Sequence, residues 1–400
     1  MLVACSVPTG IPSASGSTVP DQIELCGTLG HKFCAVPWDP IHGSGQPVPF
    51  TIKGATVYGL DQGDPATLVA DAQAAGLNTI ELVNFDNIGG TADNLADVEN
   101  SATWTQIDKI IQAAANAHLH VILNLSEFNQ AMLNAGYKYD NGPDSYAWDV
   151  KFDQYANFIS TRPSPNNPAW TYSNDPTIAM VELWGEPPTP LNDNGTVNTS
   201  APWGGSSAEM QQYFSNSLSD IRTQFCCTIE SSGGLSHLNA PNSDGVPYQA
   251  IYSNSQNQVC DMEINSYPDR DTSLPLVTNY CNSLSLHPWF LSAWSSCYKM
   301  NQGTPGPGNW DNGDWQNGET PQSPNTINPD PYNSADNDMQ GHAQDMYNES
   351  NAVTPPSGEG VASYASVGTD FWDLGPSGTY GTCQLGTQFP ATWAVIQAAS

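Results

Sequence analysis

Positive charge is scarce in this chain of 400 residues: 9 Lys and Arg stand against 40 Asp and Glu, a formal net charge of -31. Such a surface repels phosphate backbones and anionic lipid headgroups, which argues against nucleic acid as a partner. Charge of either sign is sparse, at 12 % of residues, so the surface must be largely uncharged and polar. No run of eighteen apolar residues occurs, so no segment reads as a membrane span. No Gly-rich phosphate turn follows the first predicted strand, which counts against a doubly wound nucleotide-binding sheet. Metal signals are also poor. The seven His residues include no His-x-x-x-His pair. Asp336-Asn-Asp-Met-Gln-Gly341 begins like a calcium loop, but Tyr347 stands where the bidentate Glu belongs, so it reads as a helix-capping acidic turn. Neither metal nor cofactor is expected.

What is present is a chain able to bury a large core, with 38 % hydrophobic residues and many turn formers, 34 Gly and 32 Pro. A fold at -31 repels itself at neutral pH and relaxes as carboxylates protonate, so the composition suits an acidic medium. Nine cysteines permit disulfides, and proximity in sequence favours Cys26 with Cys34 and Cys281 with Cys297. Leu2-Val3-Ala4-Cys5 resembles the lipobox of bacterial lipoproteins, which would anchor the chain at Cys5; a chance match of four residues is the competing reading. The expectation is a secreted or cell-surface protein, and a monomer.

Residues 1–48, rich in Gly, Pro, Ser and Thr and without a sustained period, read as an irregular N-terminal arm. From residue 49 apolar strand-like runs alternate with helical stretches. The strands fall at Phe50–Tyr58, Asn78–Phe85, His120–Leu125, Ile178–Trp184, Cys227–Glu230, Val259–Asn265, Pro288–Ser292 and Val361–Trp372. Eight strands, most followed by a helix, predict a closed (β/α)8 barrel, a TIM barrel over residues 49–400 with long strand-to-helix loops. Residues 301–335, carrying Trp310 and Trp315, form the longest of those loops.

The fourth predicted strand ends in Val181-Glu-Leu-Trp-Gly-Glu186-Pro187. A carboxylate where a barrel strand meets its loop stands where such folds keep their chemistry, and Glu186 is the first candidate for a general acid. A solvated strand-end Glu is the plain alternative. The segment resembles the fourth-strand signature of family 5 glycoside hydrolases, usually Glu-Leu-x-Asn-Glu-Pro among mannanases, and places Glu186 on the acid/base. Four more stretches follow in family order. Leu77-Asn-Thr-Ile-Glu-Leu-Val-Asn-Phe85 is similar to the second strand, and Asp261-Met-Glu-Ile-Asn-Ser-Tyr267-Pro268-Asp269 to the sixth-strand His-x-Tyr-Pro motif. His287-Pro-Trp-Phe-Leu-Ser-Ala293-Trp-Ser is similar to the seventh strand with its nucleophile, and Gly368-Thr-Asp-Phe-Trp372 to the eighth with its sugar-stacking Trp. Each motif is weak alone, and five in order are specific.

The resemblance implies a retaining β-glycosidase in which two carboxyl groups about 5–5.5 Å apart flank the scissile bond. It implies an oligosaccharide or polysaccharide as partner, mannan before glucan, contacted by Glu81, Asn84, Trp184, Asn265, Tyr267, Trp294 and Trp372. Trp side chains suit sugar faces, although any single Trp is more often core. Departures are as informative. Ala293 holds the nucleophile's place, and a methyl group cannot attack, so the chain as written should not turn over by the family mechanism. Either Ala293 replaces a Glu, or the chain is an inactive, binding-only relative. Glu81 stands where the family has an Arg, Gly185 where it has an Asn, and Asn265 where it has a His. Strand alternation could turn Glu81 and Glu263 into the barrel, as structural acids or as neighbours that raise each other's pKa.

Overall fold

The computed structural model describes residues 19–27, 31–37, 46–57, 64–83, 101–192, 194–225, 227–236, 238, 245–264, 267–284, 287–294, 343–344, 346–348, 366–372, 374 and 390–399. Strands β1 (Gln22–Cys26), β2 (Lys32–Val36) and β3 (Val48–Phe50) make a small antiparallel sheet. The arm is therefore not irregular throughout. A sheet forms there because alternating Ile23, Phe33 and Ala35 have an apolar surface to cover, and the expected Cys26–Cys34 disulfide ties β1 to β2.

The remaining strands form one eight-stranded sheet, all described pairs parallel: β4 (Ile52–Val57), β5 (Thr79–Leu82), β6 (His120–Asn124), β7 (Ile178–Glu182), β8 (Ile229–Ser231), β9 (Cys260–Ile264), β10 (Trp289–Trp294) and β11 (Gly368–Trp372). The order β8-β7-β6-β5-β4-β11-β10-β9 leaves only β8 and β9 unpaired in the ladder. They are joined just beyond β8, where Leu235 N–H donates to Asp261 O and Glu263 N–H donates to Leu235 O. The fold is the predicted (β/α)8 barrel, nearly closed.

Helices α1 (Pro65–Ala74), α2 (Ser101–Asn116), α3 (Ser126–Asn134), α4 (Pro143–Ser160), α5 (Ser207–Gln224), α6 (Tyr248–Tyr252), α7 (Tyr267–Ser283) and α8 (Pro390–Ala398) lie between strands or after the last. Local chemistry sets their starts. Asp64 accepts the N–H of Thr67 with Pro65 at the first turn of α1, and Ser206 accepts that of Glu209 at α5. The short helices α3 and α6 were not legible in the sequence.

Period-2 alternation sorts the barrel strands. Ala55, Val57, Ile80, Leu82, Val121, Leu123, Val181, Cys260, Met262 and Ile264 face the helices in the main core. Inside, the barrel is layered. At the N-terminal ends of the strands Ile52, Ile122, Met180, Ile229, Val259, Phe290 and Val367 form an apolar floor, which Ile23 and Phe33 of the small sheet cover from below. Burial against that floor is what folds the arm, and Gln22 Nε2 anchors it by donating to Cys227 O at 2.9 Å. The expected Cys281–Cys297 pair is not formed: Cys281 is bonded to Cys260, which stitches α7 to β9. Adjacency in sequence misled here because helix α7 packs on its own preceding strand.

Candidate active site

Above the apolar floor the inward positions turn polar. Thr56, Glu81, Asn124, Glu182, Ser231, Asp261, Ser292 and Asp370 are all buried. Asn124 holds the layer's centre: its Nδ2 donates to Glu81 Oε1 at 2.9 Å and Glu182 Oε2 at 3.0 Å, while its Oδ1 accepts from Ser126 N–H and Oγ. Thr56 Oγ1 donates to Glu81 Oε2 at 2.6 Å, and Ser231 Oγ to Asp261 Oδ2 at 2.7 Å. Glu182 is in addition acted on by both Glu81 and Asp261, and its Oε1 meets no donor among the described residues. Two carboxylates only repel, so each such contact requires a proton on one partner.

The electrostatics agree. Burial, first, and then neighbouring acids push Glu182 well above the ordinary carboxylate range, and burial pushes Asp261 up to about 7. Burial and the charges of Glu81 and Asp261 raise Asp370 as well, and neither of its oxygens meets a donor among the described residues. Among the described residues no Lys, Arg or His is a cause of the shifts of these acids. Among the described residues no group of three or more His, Cys, Asp and Glu side chains is arranged to hold a metal ion. Protons, not cations, make this layer tolerable.

One step further towards the C-terminal ends of the strands lies the mouth. Glu186 is exposed there with φ +48°, a left-handed conformation uncommon for Glu. Its N–H donates to Gly234 O at 2.9 Å and Pro187 follows, which fixes the turn. Strain of this kind persists only where the surrounding structure holds it. Glu263, on the inner face of β9, is partly accessible and hydrogen-bonded to Glu186. Burial, then the charge and hydrogen bond of Glu186, hold Glu263 well above the ordinary range.

Glycines make room for this pair. A Cβ on Gly185 would sit 3.0 Å from both Glu263 Oε1 and Asn124 Nδ2, and one on Gly234 would fall 2.3 Å from Glu263 Cγ. Ala293 pairs in register with Glu263, next to a bulge between Leu291 and Ala293, and is buried with 6 % exposure. Glu186, Glu263, Glu81 and residue 293 are thus brought to one end of the barrel.

Trp184 and Trp294 are not at that surface. Trp184 stacks among Trp148, Trp203 and Tyr213, ring centroids 5.7 to 6.4 Å away, under helices α4 and α5. Strand β7 ends at Glu182, so the alternation that would have turned Trp184 inward no longer applies two residues later. Trp294 is fully buried against Tyr347 and Phe371 and donates its Nε1–H to Thr369 Oγ1 at 2.8 Å. Neither indole has a face free for a sugar. Trp203 is core too, its Nε1–H donating to Pro188 O. Tyr267 opens α7 and Trp372 closes β11; their side chains, together with Asn84, Asn265, Cys5, Cys297, Trp310 and Trp315, lie outside the described residues. Asp261 and Asp370 were missed as interior acids, although Asp261 lies two residues before Glu263 on the same strand face.

At the level of sequence no protein-family model and no curated protein matches the chain. Solved structures do. An endo-1,4-beta-mannanase from Rhizomucor miehei matches with TM-score 0.55 and 14 % identity over 94 % of this chain and 99 % of that one. A glycoside hydrolase family 5 mannosidase from the same fungus gives 0.56 and 13 %, over 96 % and 97 %. An endo-beta-1,4-mannanase from Thermotoga petrophila gives 0.55 and 11 %, over 88 % and 76 %. At these identities the likeness is one of fold: the chain shares the (β/α)8 barrel of these three enzymes.

Proposed function

We propose that the barrel mouth is a saccharide site of the retaining β-glycoside hydrolase kind, with Glu186 as acid/base and residue 293 at the nucleophile's place. The observation that carries this reading is Glu186 itself, exposed at the C-terminal mouth in a strained turn pinned by Gly234 and Pro187. The ligand is a β-linked oligosaccharide or polysaccharide, mannan before glucan, in keeping with the mannanases of like fold. As written, the chain holds its saccharide without cleaving it by double displacement, because Ala293 offers no carboxylate to attack the anomeric carbon. The protein acts outside the cell, where its two described disulfides persist, and acts as a monomer.

The experiment is Ala293→Glu, assayed for reducing-sugar release on a panel of β-mannans and β-glucans, with the first-formed anomer read by proton NMR. Release with β anomer first supports the reading; α anomer first removes the retaining mechanism.

A second reading has support of its own. Gly185 and Glu263 fit each other, so the site departs from the family pattern at more than one residue, as a chain specialised for binding alone would. A folded Ala293→Glu protein that binds β-glycans and releases nothing from any of them would decide for it.

A further inference from the structure

Glu263 precedes the residues matched to the His-x-Tyr-Pro motif, and its carboxyl lies against Gly185, the neighbour of Glu186 in the chain. Its carboxyl has one place to lodge. Gly185 and Gly234 form bare walls on either side, since Cβ atoms there would lie 3.0 and 2.6 Å from Glu263 Oε1, and the Gly234 Cβ also 2.5 Å from Ser292 Oγ. The carboxyl of Glu263 therefore occupies the room that a side chain at 185 would take. Among the described residues the titratable groups around it are Glu186 from the turn after β7, Glu81 on β5, Asp261 on its own strand and the Tyr252 hydroxyl of α6, none of them a cation. In that field a proton on Glu263 is worth keeping, while Glu186 is exposed to solvent.

We propose that Glu263 is a positioning residue for Glu186: it remains an undissociated acid whose O–H points at Glu186 and stabilises the charge Glu186 acquires on giving up its proton. This rests on the glycosidase reading for its consequence, though not for its geometry. When the glycosidic C–O bond breaks, its electron pair stays on the leaving oxygen, which takes the proton of Glu186. The anomeric carbon bonds to a carboxylate at 293 in the Ala293→Glu protein. Glu186, now a carboxylate, accepts the Glu263 hydrogen bond until water attacks the anomeric carbon, gives a proton to Glu186 and displaces the 293 carboxylate, whose bond to the anomeric carbon breaks. Such a preformed donor acts where charge develops, in a site with little water to screen it.

The test has two arms. In the chain as it stands, carbon-13 labelled glutamate side chains are titrated by NMR. Glu263 is expected to stay protonated beyond the ordinary carboxylate range, and Glu186→Gln to move its midpoint down by about one unit or more. An ordinary midpoint for Glu263, or one indifferent to Glu186→Gln, overturns the proposal. In the Ala293→Glu protein, Glu263→Ala is expected to lower kcat by about 10²-fold with little change in KM. Glu263→Gln, whose amide still donates, is expected to recover most of that and to abolish the most alkaline ionisation of the kcat/KM profile. Equal losses for both variants with an unchanged profile would mean a merely structural role. An Ala293→Glu protein inert on every glycan removes the hydrolase reading and this role with it, while the NMR arm still decides whether the carboxyl pair exists.

Discussion

Glu182 at the end of β7 and Asp261 on β9 act on each other as buried acids across the barrel interior, and Glu182 Oε1 and Asp261 Oδ1 meet no donor among the described residues. Such a pair is tolerable only while it holds a proton, and that makes the fold itself a proton acceptor. Burial raises Asp261 to about 7, and raises Glu182 and Asp370 well above the ordinary range.

From this follows a pH dependence of stability. An unfolded carboxylate titrates near pH 4, so between about pH 4 and 7 the native state binds more protons than the unfolded one, and stability falls as pH rises. Buried His120, lowered to about 4, opposes this over part of the window, as does the lowered His31, but each is a single group set against several acids. The thermal midpoint should be highest in acid and decline towards neutrality. Asp261→Asn should flatten the slope by removing a contribution on the order of a few kcal/mol at neutral pH. A midpoint that climbs from pH 4 to 7 would refute the proton-sharing account.

Gly54 and Asp370 are mutually dependent. A Cβ on Gly54 would lie 1.9 Å from Asp370 Oδ1, and both residues are buried. Gly54→Ala should lower the urea midpoint by about 1–3 kcal/mol of stability, as the buried Asp370 carboxyl must shift to make room. Adding Asp370→Ala should restore much of it, a coupling that a double-mutant cycle measures directly.

Restoring the family's Asn at 185 should fail alone. Its Cβ would sit 3.0 Å from Glu263 Oε1, and the rest of the side chain needs the volume the Glu263 carboxyl fills. Gly185→Asn is expected to destabilise the protein and weaken saccharide binding. With Glu263→Ala beside it, the same change should meet only Asn124 Nδ2, also 3.0 Å from that Cβ, and the midpoint should rise above that of the single variant. Additive effects of the two would show that they do not compete for space.

Trp184 should prove a stability residue. Removing an indole at 3 % exposure from the Trp148, Trp203 and Tyr213 cluster costs roughly 3–5 kcal/mol on replacement by Ala. Trp184→Phe, which keeps a ring in the core, should bind β-glycans as the parent does. A large loss of affinity with stability intact would return Trp184 to the saccharide surface.

The sequence by itself determined the barrel and the strand that leads into Glu186. Eight apolar runs separated by helical stretches leave few ways to bury all of them, and alternation within Thr79–Leu82 and Cys260–Ile264 already turned Glu81 and Glu263 inward. It also determined that 26 and 34 would pair, since β1 and β2 are a short hairpin. What tertiary structure decided lies where local periodicity ends. Strand β7 stops at Glu182, so Trp184 turns to the helices, and a bulge in β10 accompanies the burial of Trp294. The meeting of Glu182 with Asp261, of Asp370 with Gly54 and of Glu186 with Glu263 joins residues far apart in sequence. Only closure of the sheet, which curves distant strand ends onto one axis, brings those acids into contact and obliges them to share protons.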